Sequence, residues 1–130
     1  MSERFVVRGD ATVFDTETGL LWQRGASRDR VVWEDGFKVV EEMNGKLFGG
    51  FGDWRMPTQE ELLGLMTPEE NQATGLHLPP VFSAERCFWS STEDHHDHHR
   101  AVFVDFFYGE AYFYEKNYVQ HFIRAVRKPQ

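Results

Sequence analysis

The sequence predicts an α+β fold, and three observations carry that expectation. Helical spacing of apolar residues is confined to the first half of the chain. From Arg86 onward the period changes to two, with aromatic residues at many of the alternating positions. Between these halves, residues 67–84 contain three prolines and show no periodicity, so they read as one long irregular loop.

Taken in order, residues 5–7 form a short strand, Gly9 and Asp10 a turn, and residues 12–14 a second extended piece. Asp15 to Gly19 is a cluster of turn formers, after which Leu20, Leu21 and Trp22 start a third apolar run. Residues 34–46 place Phe37, Val40, Glu41, Met43 and Leu47 near helical spacing, giving an amphipathic helix of about three turns. Gly45 and the Gly49-Gly50 pair fall where that helix should end. In the next segment Pro57 stops what precedes it. Thr58 and Glu61 then form a capping box: the Thr58 hydroxyl accepts from the Glu61 amide, and the Glu61 carboxylate accepts from the Thr58 amide. Leu62, Leu63, Leu65 and Met66 supply the buried stripe of a short second helix. Four strands follow, at residues 87–91, 101–107, 110–116 and 121–128, with Tyr108-Gly109 as the tight turn between the second and third.

Composition restricts the function classes. The 130 residues are enough for one domain with a real core, and 41% hydrophobic with 27% charged residues is a globular balance. Aromatic residues make up 15% and concentrate after Phe82. The net charge of −7 repels phosphate backbones and anionic lipid, so no nucleic acid and no membrane is expected as a partner. Cys87 is the single cysteine and excludes an intrachain disulfide. With no signal-peptide pattern at the start and no long uncharged apolar run, the expectation is a reducing, cytoplasmic location, or a secreted one if the chain is cut from a secreted parent.

Five segments then carry a resemblance: GDATVFDTETGLLWQ at residues 9–23, GGFGDWRMPTQEEL at 49–62, FWSST at 88–92, AVFVDFFYGEAYFY at 101–114 and IRAVR at 123–127. In this order and spacing the chain resembles the bacterial domain family named for the C-terminal domain of a collagen-like adhesin, Lcl. That family is related to formylglycine-generating enzymes and C-type lectins. The resemblance implies a single C-type-lectin-like domain over residues 1–130: two helices on a twisted antiparallel sheet, chain ends close together, and a long loop region that carries binding. Residues 67–84 and 93–100 match that region. Family members often carry one cysteine in the first helix and another in the last strand; Met43 and Ala125 look like their counterparts here. The reactive cysteine pair of the formylglycine-generating enzymes has no counterpart, so that activity is not expected. The Glu-Pro-Asn and Trp-Asn-Asp triplets of calcium-dependent lectins are also absent, which removes support for calcium-mediated sugar binding.

Two candidate sites follow from the residues. The run from Glu93 and Asp94 through His95, His96, Asp97, His98 and His99 holds four of the six histidines. Imidazoles with carboxylates in support could hold a divalent transition metal, although a solvated polar loop fits the same residues. No other cofactor is implied. The second site is a hairpin face. With a two-residue turn, Phe106 faces Ala111, Val104 faces Phe113 and Val102 faces Glu115 as the core side. The opposite side then carries Phe103 beside Tyr114, Asp105 beside Tyr112, and Phe107 beside Glu110. Rings interleaved with carboxylates suit a sugar or a cationic peptide, or are covered by another element.

Asp53, Trp54, Arg55, Pro57, Glu61, Trp89, Arg124 and Arg127 read as structural. The arginines are expected to fork onto carboxylates such as Asp53 and Glu61, or onto backbone carbonyls. The Arg8-Gly9-Asp10 tripeptide falls at a strand-to-turn junction. His77 and Cys87 have no paired base or orienting acid near them in sequence, and a thiol inside a strand is more often inert. The expected function is a non-catalytic domain that binds an unknown small molecule, carbohydrate or protein. The alternatives are a subunit-contact module, with a homo-oligomer, and a metal-dependent enzyme using the histidine run. Protonating all six histidines brings the formal charge from −7 to −1, so the histidine loop is expected to change its contacts between about pH 7.5 and 5.5 while the fold persists.

Overall fold

The computed structural model describes residues 3–129. It is α+β, with two helices and two antiparallel sheets. The first sheet contains β1 (Phe5–Arg8), β2 (Thr12–Asp15), β3 (Leu20–Gln23) and β7 (Val126–Arg127), in that spatial order. The second contains β4 (Cys87–Asp94), β5 (Asp97–Asp105) and β6 (Glu110–Glu115). The one twisted antiparallel sheet that the resemblance implies is therefore present as two. The cause lies in residues 121–125, which were expected to be strand. They change partner almost residue by residue. His121 pairs with Val31, Phe122 bridges Phe88 in parallel, the Ser27 amide donates to the Ile123 carbonyl, and the Gln23 amide donates to the Ala125 carbonyl. Only Val126 and Arg127 remain as strand, against β3.

Helix α1 spans Trp33–Gly45, one residue earlier than the sequence periodicity places it, and buries Trp33, Gly36, Val40 and Met43. Gly36 is needed for close approach, because a Cβ there would stand 2.7 Å from Ile123 Cδ1. A 3-10 turn at Phe48–Gly50 occupies the glycine-rich exit. Helix α2 (Gln59–Leu63) is a single five-residue element held by the complete Thr58/Glu61 capping box. Leu65 lies beyond its end, yet is buried with Leu62. Residues 64–86 contain no regular element. Between Gly64 and Cys87 the chain is instead pinned by isolated bonds, such as His77 N–H to the Phe106 carbonyl at 2.8 Å.

Two apolar clusters fill the interior. Val13, Trp22, Leu62, Leu65, Phe88, Val104, Phe106 and Val126 belong to one, with Leu76, Leu78 and Phe82 from the long loop. The other contains Leu21, Trp33, Met43, Trp54, Trp89, Ile123 and Ala125. Met43 and Ala125 are thus both buried in one cluster, where a flexible thioether can fill space beside a small residue.

The β5–β6 hairpin has a longer turn than expected. Phe106–Gly109 forms a four-residue connection, with the Gly109 amide donating to the Asp105 carbonyl at 2.8 Å. The Asp105 carboxylate accepts from the Phe107 amide at 2.8 Å and the Tyr108 amide at 3.4 Å. Asp105 thereby rounds off the turn itself, which a Tyr-Gly signal does not reveal. The register shifts by two residues: Val104 faces Ala111, Val102 faces Phe113, Phe103 faces Tyr112 and Asp105 faces Glu110. A shift of two leaves every side chain on its expected side, because strand alternation has that period. At the other end, the stretch 93–100 is not a loop. β4 runs to Asp94 and β5 starts at Asp97, leaving His95 and His96 as the turn.

Candidate functional site

One side of the three-stranded sheet gathers Cys87, Trp89, Phe103, Asp105, Glu110 and Tyr112 by strand register; it is buried against the second apolar cluster at Trp89 and opens to solvent along β6. Phe103 is its centre. The Tyr112 ring lies 5.5 Å away, Tyr114 6.4 Å and Trp89 6.1 Å. His121 covers this group from the last segment, its ring 4.0 Å from Phe103 and 4.9 Å from Trp89. Beside it opens a cavity of about 590 Å³ lined by Arg30, Arg86, Cys87, Tyr118 and His121 among others. Tyr114 is 45% exposed and Tyr118 80%.

The charged groups here are not equally available. Asp105 is 3% exposed and receives both nitrogens of the Arg86 fork, at 2.9 and 2.8 Å, besides the two turn amides. That arrangement holds its carboxyl below the usual carboxylate range against the opposing effect of burial. Asp105 therefore builds the turn and leaves little for a ligand. Arg86 in turn stacks on Phe107 and Tyr108, at 4.7 and 4.9 Å. Glu110 is exposed and accepts from the Tyr112 hydroxyl at 3.0 Å. The contact with Glu110 and desolvation both raise the Tyr112 phenol, keeping it a neutral donor.

Cys87 and His121 are neighbours across the parallel bridge, and both line the cavity. Burial pushes the Cys87 thiol up to about 11 and the His121 imidazole down to about 4. His121 Nε2 is buried without a hydrogen-bond partner among the described residues. At neutral pH the thiol therefore keeps its proton and the imidazole is neutral. His77 is engaged elsewhere, with Nδ1 3.0 Å from the Thr67 carbonyl oxygen.

The histidine run is dispersed. His95 and His96 form the β4–β5 turn, while His98 and His99 point to opposite sides of β5; all four are exposed. The neighbouring aspartates are turned onto the backbone: Asp94 accepts from the His96 amide at 2.9 Å and Asp97 from the His99 amide at 2.9 Å. Asp94 also lies 3.7 Å from Arg100. Among the described residues no group of three or more histidine, cysteine or carboxylate side chains is placed to hold a metal ion. Glu93 reaches Lys116 instead, at 2.7 Å, and the Lys116 ammonium also sits 4.1 Å above Trp33.

The remaining singled-out residues tie the two sheets to α2. Arg55 forks onto Glu61 with two 2.7 Å bonds, coupling the capping box to the strand bridge between Arg55 and Val126. Arg127 holds Asp53 and stacks on Phe51 at 3.7 Å. The Trp54 indole donates to the Phe48 carbonyl at 2.8 Å, and the Trp89 indole to the Val31 carbonyl at 2.9 Å. Pro57 is buried and its carbonyl accepts from the Ser91 amide at 2.8 Å. Arg124, 1% exposed, donates to the carbonyls of Arg24 (2.5 Å) and Ser83 (2.8 Å), and lies over Phe82 and Phe88. Burial lowers its guanidinium to about 9, which leaves it charged at neutral pH. Arg8 lies over Phe14 at 4.1 Å and Gly9 takes φ 61°, so the Arg-Gly-Asp tripeptide is the β1–β2 corner. Sequence reasoning missed His121 as the cover of the aromatic face and Arg86 as the partner of Asp105. The only sequence signal for His121 is its place at the start of the last apolar run.

These features define an α+β domain with an arginine-tied frame and an aromatic sheet face that opens to solvent along β6. The family described as the Lcl C-terminal domain matches residues 11–127, and the chain belongs to it. No curated protein matches the chain.

Proposed function

We propose that this is a non-catalytic binding domain of C-type-lectin-like architecture, which takes its ligand where the aromatic face of the β4–β6 sheet opens along β6. The observation that carries the reading is the Phe103, Tyr112, Tyr114 group beside an open cavity whose only thiol and imidazole are both uncharged. Stacking rings with a rim carboxylate at Glu110 suit a sugar ring or a cationic peptide. A single unactivated thiol and a buried Met43/Ala125 pair in place of cysteines suit a reducing compartment. Titration calorimetry of neutral oligosaccharides and lysine-rich peptides against wild type, Tyr112→Ala and Tyr114→Ala tests it. At least one class should bind, and each substitution should weaken it about tenfold with an unchanged melting temperature. Equal binding by all three proteins, or substrate turnover at Cys87, would overturn the proposal.

A further inference from the structure

We infer that β6 is a docking edge for an extended basic segment of another protein, which adds to the three-stranded sheet as a fourth strand. The inference rests on the binding reading above and names the partner class.

β6 is a sheet edge: the spatial order is β4-β5-β6, and among the described residues nothing pairs beyond it. The phase of its ladder is fixed by the Lys116 amide, which donates to the His99 carbonyl at 2.8 Å. In an antiparallel ladder the groups alternate, so Tyr112 and Tyr114 bond inward to β5, while the N–H and C=O of Ala111 and Phe113 point outward. Among the described residues no backbone or side chain answers those four groups. Phe113 (46% exposed) and Tyr114 flank this edge on opposite sides.

Charge selects the occupant. Glu110 and Glu115 close the two ends of β6, and among the described residues neither forms an ion pair. The nearby cations are engaged: Arg86 with Asp105, Arg100 near Asp94, and Lys116 with Glu93. A second copy of this chain brings no free cation to this edge: pairing through the outward groups about Tyr112 sets Ala111 against Phe113 and Glu110 against Tyr114. An incoming strand that alternates lysine with an apolar residue fits both sides. Its lysines meet Glu110, Tyr112 and Tyr114, and its apolar residues meet Ala111 and Phe113.

The probe is a capped peptide alternating lysine and valine, compared with one alternating glutamate and valine and with a lysine–valine peptide N-methylated along one edge. The lysine peptide should bind, the glutamate peptide should not, and N-methylation of the bonding edge should weaken binding at least about tenfold. In hydrogen exchange, the Ala111 and Phe113 amides should be open in the free protein and protected in the complex. Ala111→Pro removes one outward donor without touching the inward ladder and should abolish binding; Glu110→Gln, which leaves the backbone intact, should weaken it about threefold. Equal binding of the methylated peptide, or protection of Ala111 and Phe113 by self-association alone, overturns strand addition. Sugar binding lost in Tyr112→Ala with no lysine-peptide binding overturns this inference and leaves the binding-domain reading standing.

Discussion

The two sheets handle their exposed charge and aromatic groups in opposite ways. In the four-stranded sheet nearly every cation is spent on the protein itself: Arg4 on Asp15 at 2.8 Å, Arg127 on Asp53, and Arg124 on backbone carbonyls. In the three-stranded sheet, Phe107, Tyr108, Phe113 and Tyr114 face solvent, and Glu110 and Glu115 have no cationic partner among the described residues. One region is closed by its own contacts; the other presents groups that a second molecule can use. Substitutions in the first should therefore act on stability, and in the second on binding.

The largest effect is expected at Arg124. Arg124→Met should destabilise the fold by about 3–5 kcal/mol, because it leaves the carbonyls of Arg24 and Ser83 buried without donors. Chemical denaturation checks it; a loss under about 1 kcal/mol would mean that water replaces the guanidinium and the frame is less closed than described. By contrast, Tyr114→Ser should change stability by less than about 0.5 kcal/mol, as a surface substitution does.

Next comes acid. His121 titrates at about 4 when folded and near 6.5 when unfolded. Between those values only the unfolded chain takes the proton, so stability falls as pH drops from about 6.5 to 4 and then levels. With its open edge screened by solvent, the ceiling is about 2 kcal/mol, of which about 1 kcal/mol is lost by pH 5.5. This adds a loss of stability through His121 to the change of contacts expected of the histidine turn over that window, with the fold still persisting. Melts of His121→Phe, followed from pH 7.5 to 4.5, should show a flatter profile than wild type; an identical profile would place the sensitivity elsewhere.

Two tryptophans give a finer test. Both are essentially fully buried, but the Trp89 indole donates to the Val31 carbonyl while Trp22 Nε1 has no partner among the described residues. Trp89→Phe should therefore cost about 0.5–1 kcal/mol more than Trp22→Phe, since only the former gives up an indole hydrogen bond, although the Val31 carbonyl keeps the His121 amide. Equal losses would mean that cavity size alone decides. The smallest effect is Glu61→Gln, expected to cost about 1 kcal/mol through the Arg55 fork and part of the capping box.

What the sequence revealed follows from the range of the interactions involved. The capping box and α1 were legible because their determinants lie within a few residues of each other. The alternation from Arg86 onward likewise placed Phe103 and Tyr112 on one side, whatever the register. The turn at residues 106–109 was not legible, because it depends on the Asp105 carboxylate reaching forward to two amides. Neither was the division into two sheets, which arises where residues 121–125 meet partners about 35 to 100 positions away. The histidine run looked like a ligand set because composition carries no direction; the hairpin geometry sends its members apart.

The course of residues 121–127 also has a kinetic consequence. This one segment joins the Val31 bridge, the Phe88 bridge, Ser27, Gln23, Arg55 and β3, so each part of the frame waits for it. Loop closure must be completed across most of the chain before those contacts reward it, which is the signature of high contact order. The β4–β6 meander, by contrast, is assembled from short-range hairpins and can form early. During synthesis the aromatic edge of β6 is thus exposed before the segment that locks the two sheets together has emerged. Glu110 and Glu115, at the ends of that edge, are then the charges that keep nascent chains from pairing with one another.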